Sequence, residues 1–145
     1  MQRRIRILTR AINILRVSLY HALGALFLTA RCYGIAETIF RRGRRYAECA
    51  HPESVGALDA WIAFIYERRG DTAKALQLLR GRVEANPQSA SCLLDLADCY
   101  IAAGDKKRAV DAYQKALALE TEADAKSSIR SQIESVMRDV VDEVE

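Results

Sequence analysis

Apolar residues in the first part of the chain recur at alternating steps of three and four: Ile5, Leu8, Ile12, Leu15, Leu19, Ala22 and Leu26, with Ala30 and Tyr33 continuing the same face. That period predicts one long helix over residues 1–33, carrying a stripe that wants a partner. A turn is expected at Tyr33 and Gly34. A second helix then runs from Ile35 to Cys49 with Ile39, Phe40, Tyr46 and Ala47 on its apolar face, and His51-Pro52 stops it. At the other end, Thr121 is placed to cap a final helix reaching about Val144. Its stripe is Ile129, Ile133, Val136, Met137, Val140, Val141 and Val144, backed by Glu134, Asp139, Asp142 and Glu143.

Between these ends, from Gly56 to Glu120, one pattern is written twice. Tyr66, Gly70, Ala75 and Leu79 recur as Tyr100, Gly104, Ala109 and Tyr113, each pair 34 residues apart. Two helices and a short turn fit that length. Ile62, Ala63 and Tyr66 share a helical face, as do Leu96, Ala97 and Tyr100, with the alanine where a neighbouring helix comes close. Gly70 and Gly104 supply the left-handed residue that ends each first helix, and Asp71 and Asp105 are placed to cap each second one. Asn86-Pro87 ends the first unit, and Ser89 is placed to cap the next helix. Residues 1–50 repeat the order helix, turn, helix, Pro, yet at this spacing they offer no equivalent of Ala75 and Ala109. They read as a divergent hairpin capping the array.

At these residues the sequence resembles the tetratricopeptide repeat family over about two units, Gly56 to Glu120. It departs where the family has Trp, since Asp59 and Leu93 stand there, and Thr121 replaces the Pro that closes a unit. The resemblance implies an all-α fold, a right-handed superhelix of antiparallel helix pairs (an α-solenoid) with about six to seven helices. It divides the chain into an Arg-rich hairpin (1–52), two repeats (53–121) and a capping helix (122–145).

Composition and charge narrow the function. Half of the residues are apolar and 28% charged, which suits an ordered helical chain. Residues 1–50 carry ten arginines against Glu37 and Glu48, a net +8, while the remainder carries −5. Val17 to Ala30 has no charge, but these 14 residues fall short of the roughly 20 that a membrane span needs. A buried packing helix is therefore favoured over an anchor. An acid-free, arginine-rich leader also resembles an import presequence or a surface-lying amphipathic helix. Cys32, Cys49, Cys92 and Cys99 form no CxxC pair, so buried, reduced thiols and a reducing compartment are expected, with no metal site. No phosphate loop, nucleophile elbow or paired histidines appear. The chain reads as a non-enzyme that needs no cofactor.

The resemblance implies that residues of the first helices not spent on packing line a groove: Ala57, Ala60, Trp61, Phe64, Glu67 and Arg68 from one repeat, Ser91, Leu94, Asp95, Asp98 and Ile101 from the next. Trp61 and Phe64 are sized to anchor a partner side chain, with ordinary core the alternative. Asp95 and Asp98 favour a basic partner. The carboxylate clamp known from one branch of the family is not expected over Ala60, Phe64, Asp95 and Asp98. The implied role is an adaptor, scaffold or chaperone-like module in the cytoplasm that binds another protein or peptide, or a second copy of itself. The rival is a membrane-attached assembly factor held through residues 1–31. Arg41, Arg42, Arg44 and Arg45 form a basic patch, for which nucleic-acid binding ranks below a solvated helix face.

Overall fold

The computed structural model describes residues 2–142, side chains of residues 2–4, 6 and 140–142 excepted. The expectations for Val144 and Glu143, and for the side chains of Arg3, Arg4, Arg6, Val140, Val141 and Asp142, lie outside the described residues. Seven α-helices account for most of the chain: α1 (Gln2–Thr29), α2 (Tyr33–Ala50), α3 (Val55–Arg68), α4 (Thr72–Ala85), α5 (Ala90–Ala102), α6 (Lys106–Leu119) and α7 (Ala123–Asp142). A short 3-10 turn, Pro52–Ser54, lies between α2 and α3. No strand occurs among the described residues. The helices fall into two compact units, Met1–Arg69 and Gly70–Glu145. In the first, α1 packs on α2 and α2 on α3; in the second, α4 packs on α5, α5 on α6 and α6 on α7.

The first turn differs from expectation. α1 stops at Thr29 rather than at residue 33, and Tyr33 and Gly34 already belong to α2. The reversal falls on Arg31, which takes φ 58°. Its N–H donates to the Leu28 carbonyl (2.9 Å) and that of Cys32 to the Phe27 carbonyl (2.9 Å). This pair of bonds is the Schellman closure of a helix. Gly104, at φ 76°, makes the same pair: its N–H donates to Ile101 and that of Asp105 to Tyr100, both at 2.9 Å. Gly70 has φ 80°.

Arg31 thus stands where the repeats have glycine, and counting from it reveals a register that the 34-residue spacing hides. Five residues after Arg31, Gly70 and Gly104 come Ala36, Ala75 and Ala109, all buried; nine after come Phe40, Leu79 and Tyr113, also buried. Seven residues before come Gly24, Ala63 and Ala97, the close-approach positions, and four before come Phe27, Tyr66 and Tyr100. Ala36 is therefore the equivalent that residues 1–50 appeared to lack. The offset is 39 instead of 34 because α2 has 18 residues where α4 has 14, and α3 has 14 where α5 has 13. At Gly24 a methyl group would run into the Phe40 ring, so the smallest residue stands where the helices approach most closely.

The long apolar stripe of α1 does not pack. Ile5, Leu8, Ile12, Leu15, Leu19 and Leu26 are all exposed, Leu15 by 71%. The face that meets α2 is instead built from Asn13, Val17, Tyr20 and Gly24: the Tyr46 hydroxyl donates to Asn13 Oδ1, and the Tyr20 and Tyr46 rings lie 6.4 Å apart. Against expectation, then, α1 is a half-packed helix, because small and polar side chains let it approach α2 more closely than leucines would. Its apolar length is also greater than the uncharged run suggested, for Ile7–Thr29, 23 residues, is long and apolar enough to cross a membrane, with 11% of that window buried.

Capping is likewise uneven. Asp105 Oδ1 accepts from the Arg108 N–H at 3.1 Å and Ser89 Oγ from the Cys92 N–H at 3.4 Å, as expected. Asp71 makes no such bond and pairs with Lys74 at 3.1 Å. Thr121 does not cap α7; the Glu120 carboxylate takes the Thr121 and Glu122 N–H groups, at 2.8 and 3.2 Å, and these bonds hold its pKa below the usual carboxylate value. On α7, Ile129 and Val136 are buried, Ile133 half-buried and Met137 exposed. Of the cysteines, Cys92 and Cys99 are buried, whereas Cys32 and Cys49 are exposed.

Candidate functional site

In the first unit the side chains gather around an aromatic row. Phe40 on α2 is fully buried; the His21 ring meets it edge-on at 6.3 Å from α1, and Trp61 of α3 stacks on it at 5.9 Å with planes 6° apart. Phe64, one helical turn beyond Trp61, meets the indole edge-on at 6.2 Å, and the Arg68 guanidinium lies 6.0 Å from the Phe64 ring centre. The row begins in the core and ends at the surface, where Trp61 and Phe64 remain 38% and 41% exposed. Sequence reasoning placed Phe40 on the apolar face of α2 but not behind Trp61, where it fixes the indole plane; at the 39-residue offset it occupies the slot of Leu79, and that is the signal that would have found it. Of the other predicted residues on α3, Ala57 and Arg68 are exposed, and Ala60 and Glu67 half-buried.

The slot of the family's tryptophan holds a charge. Asp59 is 2% exposed and accepts from the Arg44 Nε of α2, while Arg44 also bonds Glu48. Arg41 bonds Glu37 at 2.8 Å and the Tyr66 hydroxyl, its guanidinium 5.9 Å from the Tyr66 ring centre. Burial opposes the charge of both arginines, but these partners more than offset it and raise both pKa values. The basic patch is thus two kinds of arginine: Arg41 and Arg44 hold α2 to α3, and Arg42 and Arg45 are exposed.

In the second unit, α5 presents Ser91, Asp98 and Ile101 to solvent, with Leu94 and Asp95 half-buried. Asp95 is engaged by Arg82 of α4, at 2.6 Å, and Asp98 accepts from the Tyr113 hydroxyl of α6. Burial, then the bond to Asp98, pushes the Tyr113 phenol well above its ordinary pKa. Arg82, only 9% exposed, was not foreseen, since its slot holds Gly43 and Ala116 in the other two pairs. Tyr100 repeats the setting of Tyr66: buried, bonded through its hydroxyl to an arginine of the preceding helix, here Arg80 at 3.1 Å, with that guanidinium 5.6 Å from its ring centre. Among the described residues no group of three His, Cys, Asp or Glu is placed to hold a metal ion.

Helix pairs with left-handed turns, alanine close contacts and exposed apolar residues on the first helices define a helical-repeat protein. Residues 67–132 match the family model for the tetratricopeptide repeat, and over that stretch the chain is similar to that family. No curated protein matches the sequence. Among solved structures, PcrH from Pseudomonas aeruginosa is similar at a TM-score of 0.65 and 18% identity, over 86% of this chain and 91% of PcrH. PcrH in complex with the chaperone binding region of PopB gives 0.62 at 18% identity, over 83% and 93%. The type III secretion translocator chaperone SycD of Yersinia enterocolitica gives 0.66 at 12% identity, over 82% and 88%. At these identities the likeness is one of fold. Coverage of 86% exceeds what residues 51–145, about two thirds of the chain, can supply, so it runs into the N-terminal hairpin.

Proposed function

We propose that the chain is a non-enzymatic interaction module, chaperone-like or adaptor in kind, that receives a segment of another polypeptide on the exposed faces of its first helices. The observation that carries this reading is the Trp61–Phe64 pair. Two aromatic rings, each more than a third exposed and braced from behind by buried Phe40, form a rigid apolar anchor point of the kind that dominates binding energy at interfaces. Similarity of fold to PcrH, which has been solved with a region of PopB, supports a polypeptide as the ligand. In the second unit, with Asp95 engaged by Arg82, Asp98 is the more accessible acid for a basic side chain. A partner segment with apolar anchors fits the first unit best, and the cytoplasm is the compartment proposed for this encounter.

Trp61 is the only tryptophan of the chain, so it reports its own occupancy. Peptides selected from a random library on the full-length protein should shift Trp61 emission and lose affinity by roughly tenfold or more on Phe64→Ala. Each ring is more than half covered, so a modest drop in melting temperature is expected for each variant, and affinities are compared at a temperature where all remain folded. Selected peptides that bind Phe64→Ala and Trp61→Ala as tightly as wild type would sink the assignment.

A further inference from the structure

The outward face of α1 is an exposed apolar surface that the proposed partner binding leaves unused. We infer that this face docks on an anionic membrane surface, with α1 lying in the plane of the lipid headgroups and α2 on the aqueous side. From Ile5 to Leu26 the exposed stripe extends about 31 Å along the helix axis. Nothing within the first unit covers it, because α2 takes the opposite face through Asn13, Val17, Tyr20 and Gly24.

Charge decides between the occupants that would accept such a stripe. The sequence has no acidic residue before Glu37, while six arginines precede it, of which Arg10, Arg16 and Arg31 are seen to be exposed. A second copy joined through the same face would bring two arginine-rich, acid-free helices together with no carboxylate on either α1 to offset the repulsion. An anionic bilayer supplies the opposite sign together with an apolar layer for the leucines. At the margin of the stripe one cleft, of about 390 Å³, is lined by Ile5, Arg10, Asn13, His51 and Glu53, with Arg10 paired to Glu53 at 3.6 Å; another, of about 300 Å³, is lined by Arg16, Leu19, Tyr20, Leu23 and Tyr46 with no carboxylate, and this is the one that fits an anionic headgroup. Arginine and tyrosine are the side chains that settle at the boundary of headgroup and acyl chain.

Packing decides between lying on the bilayer and crossing it. To span, α1 would either leave α2, uncovering Phe40 and Gly43, or draw Arg41 to Arg45 into hydrocarbon. Lying flat requires neither.

Sedimentation of the full chain with extruded vesicles tests this. Wild type should pellet with phosphatidylcholine vesicles containing phosphatidylglycerol, much less with phosphatidylcholine alone, and should be released by added salt and by alkaline carbonate. Leu15→Glu with Leu19→Glu should cut binding by roughly tenfold or more while leaving the melting temperature unchanged, since both leucines are already in water. The inference is overturned if wild type stays in the supernatant with both vesicles, if the double variant binds equally, or if carbonate fails to release the protein. It is also overturned if light scattering finds a lipid-free dimer that the double variant dissolves, which would give the face to a second copy.

Discussion

Arg82 of α4 and Asp95 of α5 meet at 2.6 Å, with the arginine nearly buried and the aspartate about a third exposed. A second Arg82 nitrogen lies 3.4 Å from the Cys92 sulfur, and its buried Nε has no hydrogen-bond partner. The charge therefore depends on one carboxylate. Asp95→Ala should cost about 1–3 kcal/mol, below the value for a fully buried pair because water reaches Asp95. Arg82→Ala in the same chain should recover more than half of that loss. Urea unfolding of the two single variants and the double variant measures both effects.

Glycine-to-alanine changes should separate by site. At Gly24 the added methyl meets the buried Phe40 ring, and at Gly43 it would lie 2.8 Å from Tyr20 Cβ. Neither neighbour has room to yield, so each change should destabilise by about 1–3 kcal/mol. Gly81, inside α4 with nothing within 4 Å, should instead stabilise by roughly 0.5–1 kcal/mol through helix propensity. Thermal melts of the three variants check the reversal of sign.

Arg31 holds a left-handed backbone at the position glycine fills in the next two turns. Arg31→Gly should remove a steric cost of about 1–2 kcal/mol, partly offset by a more flexible unfolded chain. A small rise in melting temperature is expected. Gly104→Ala should lower it, and calorimetry reads both.

His21 is half-buried against Phe40, and burial lowers its pKa from 6.5. Because the folded value lies below the unfolded one, the unfolded chain binds the proton more readily. The His21 contribution is fully present above about pH 6.5 and is lost as pH falls through the folded value. Stability measured from pH 7 to pH 5 should fall more steeply for wild type than for His21→Leu.

The middle of the fold was legible because Gly70 and Gly104 mark their turns and Ala75 and Ala109 follow at a constant interval. The first pair was not, because Arg31 gives no sequence signal for a left-handed turn and a longer α2 and α3 together shift the register by five residues. Periodicity found the α1 stripe and misassigned it: a regular apolar face announces that it exists, not which side of the helix a neighbour takes. Asn13, Tyr20 and Gly24 look like a solvated face until Tyr46 and Phe40 are set against them. At the candidate site Trp61 and Phe64 were visible by size. What braces them, and what engages Asp95, lies on other helices at separations that no single-helix pattern encodes.

Asp59, in the seat where kindred units carry an indole, ties α3 to Arg44 on the helix before it. These modules are consequently not interchangeable beads. Grafting a consensus unit in place of residues 55–85 would take the buried carboxylate from Arg44 and leave it only the exposed Glu48, so this pair keys one module to the one before it along the polypeptide.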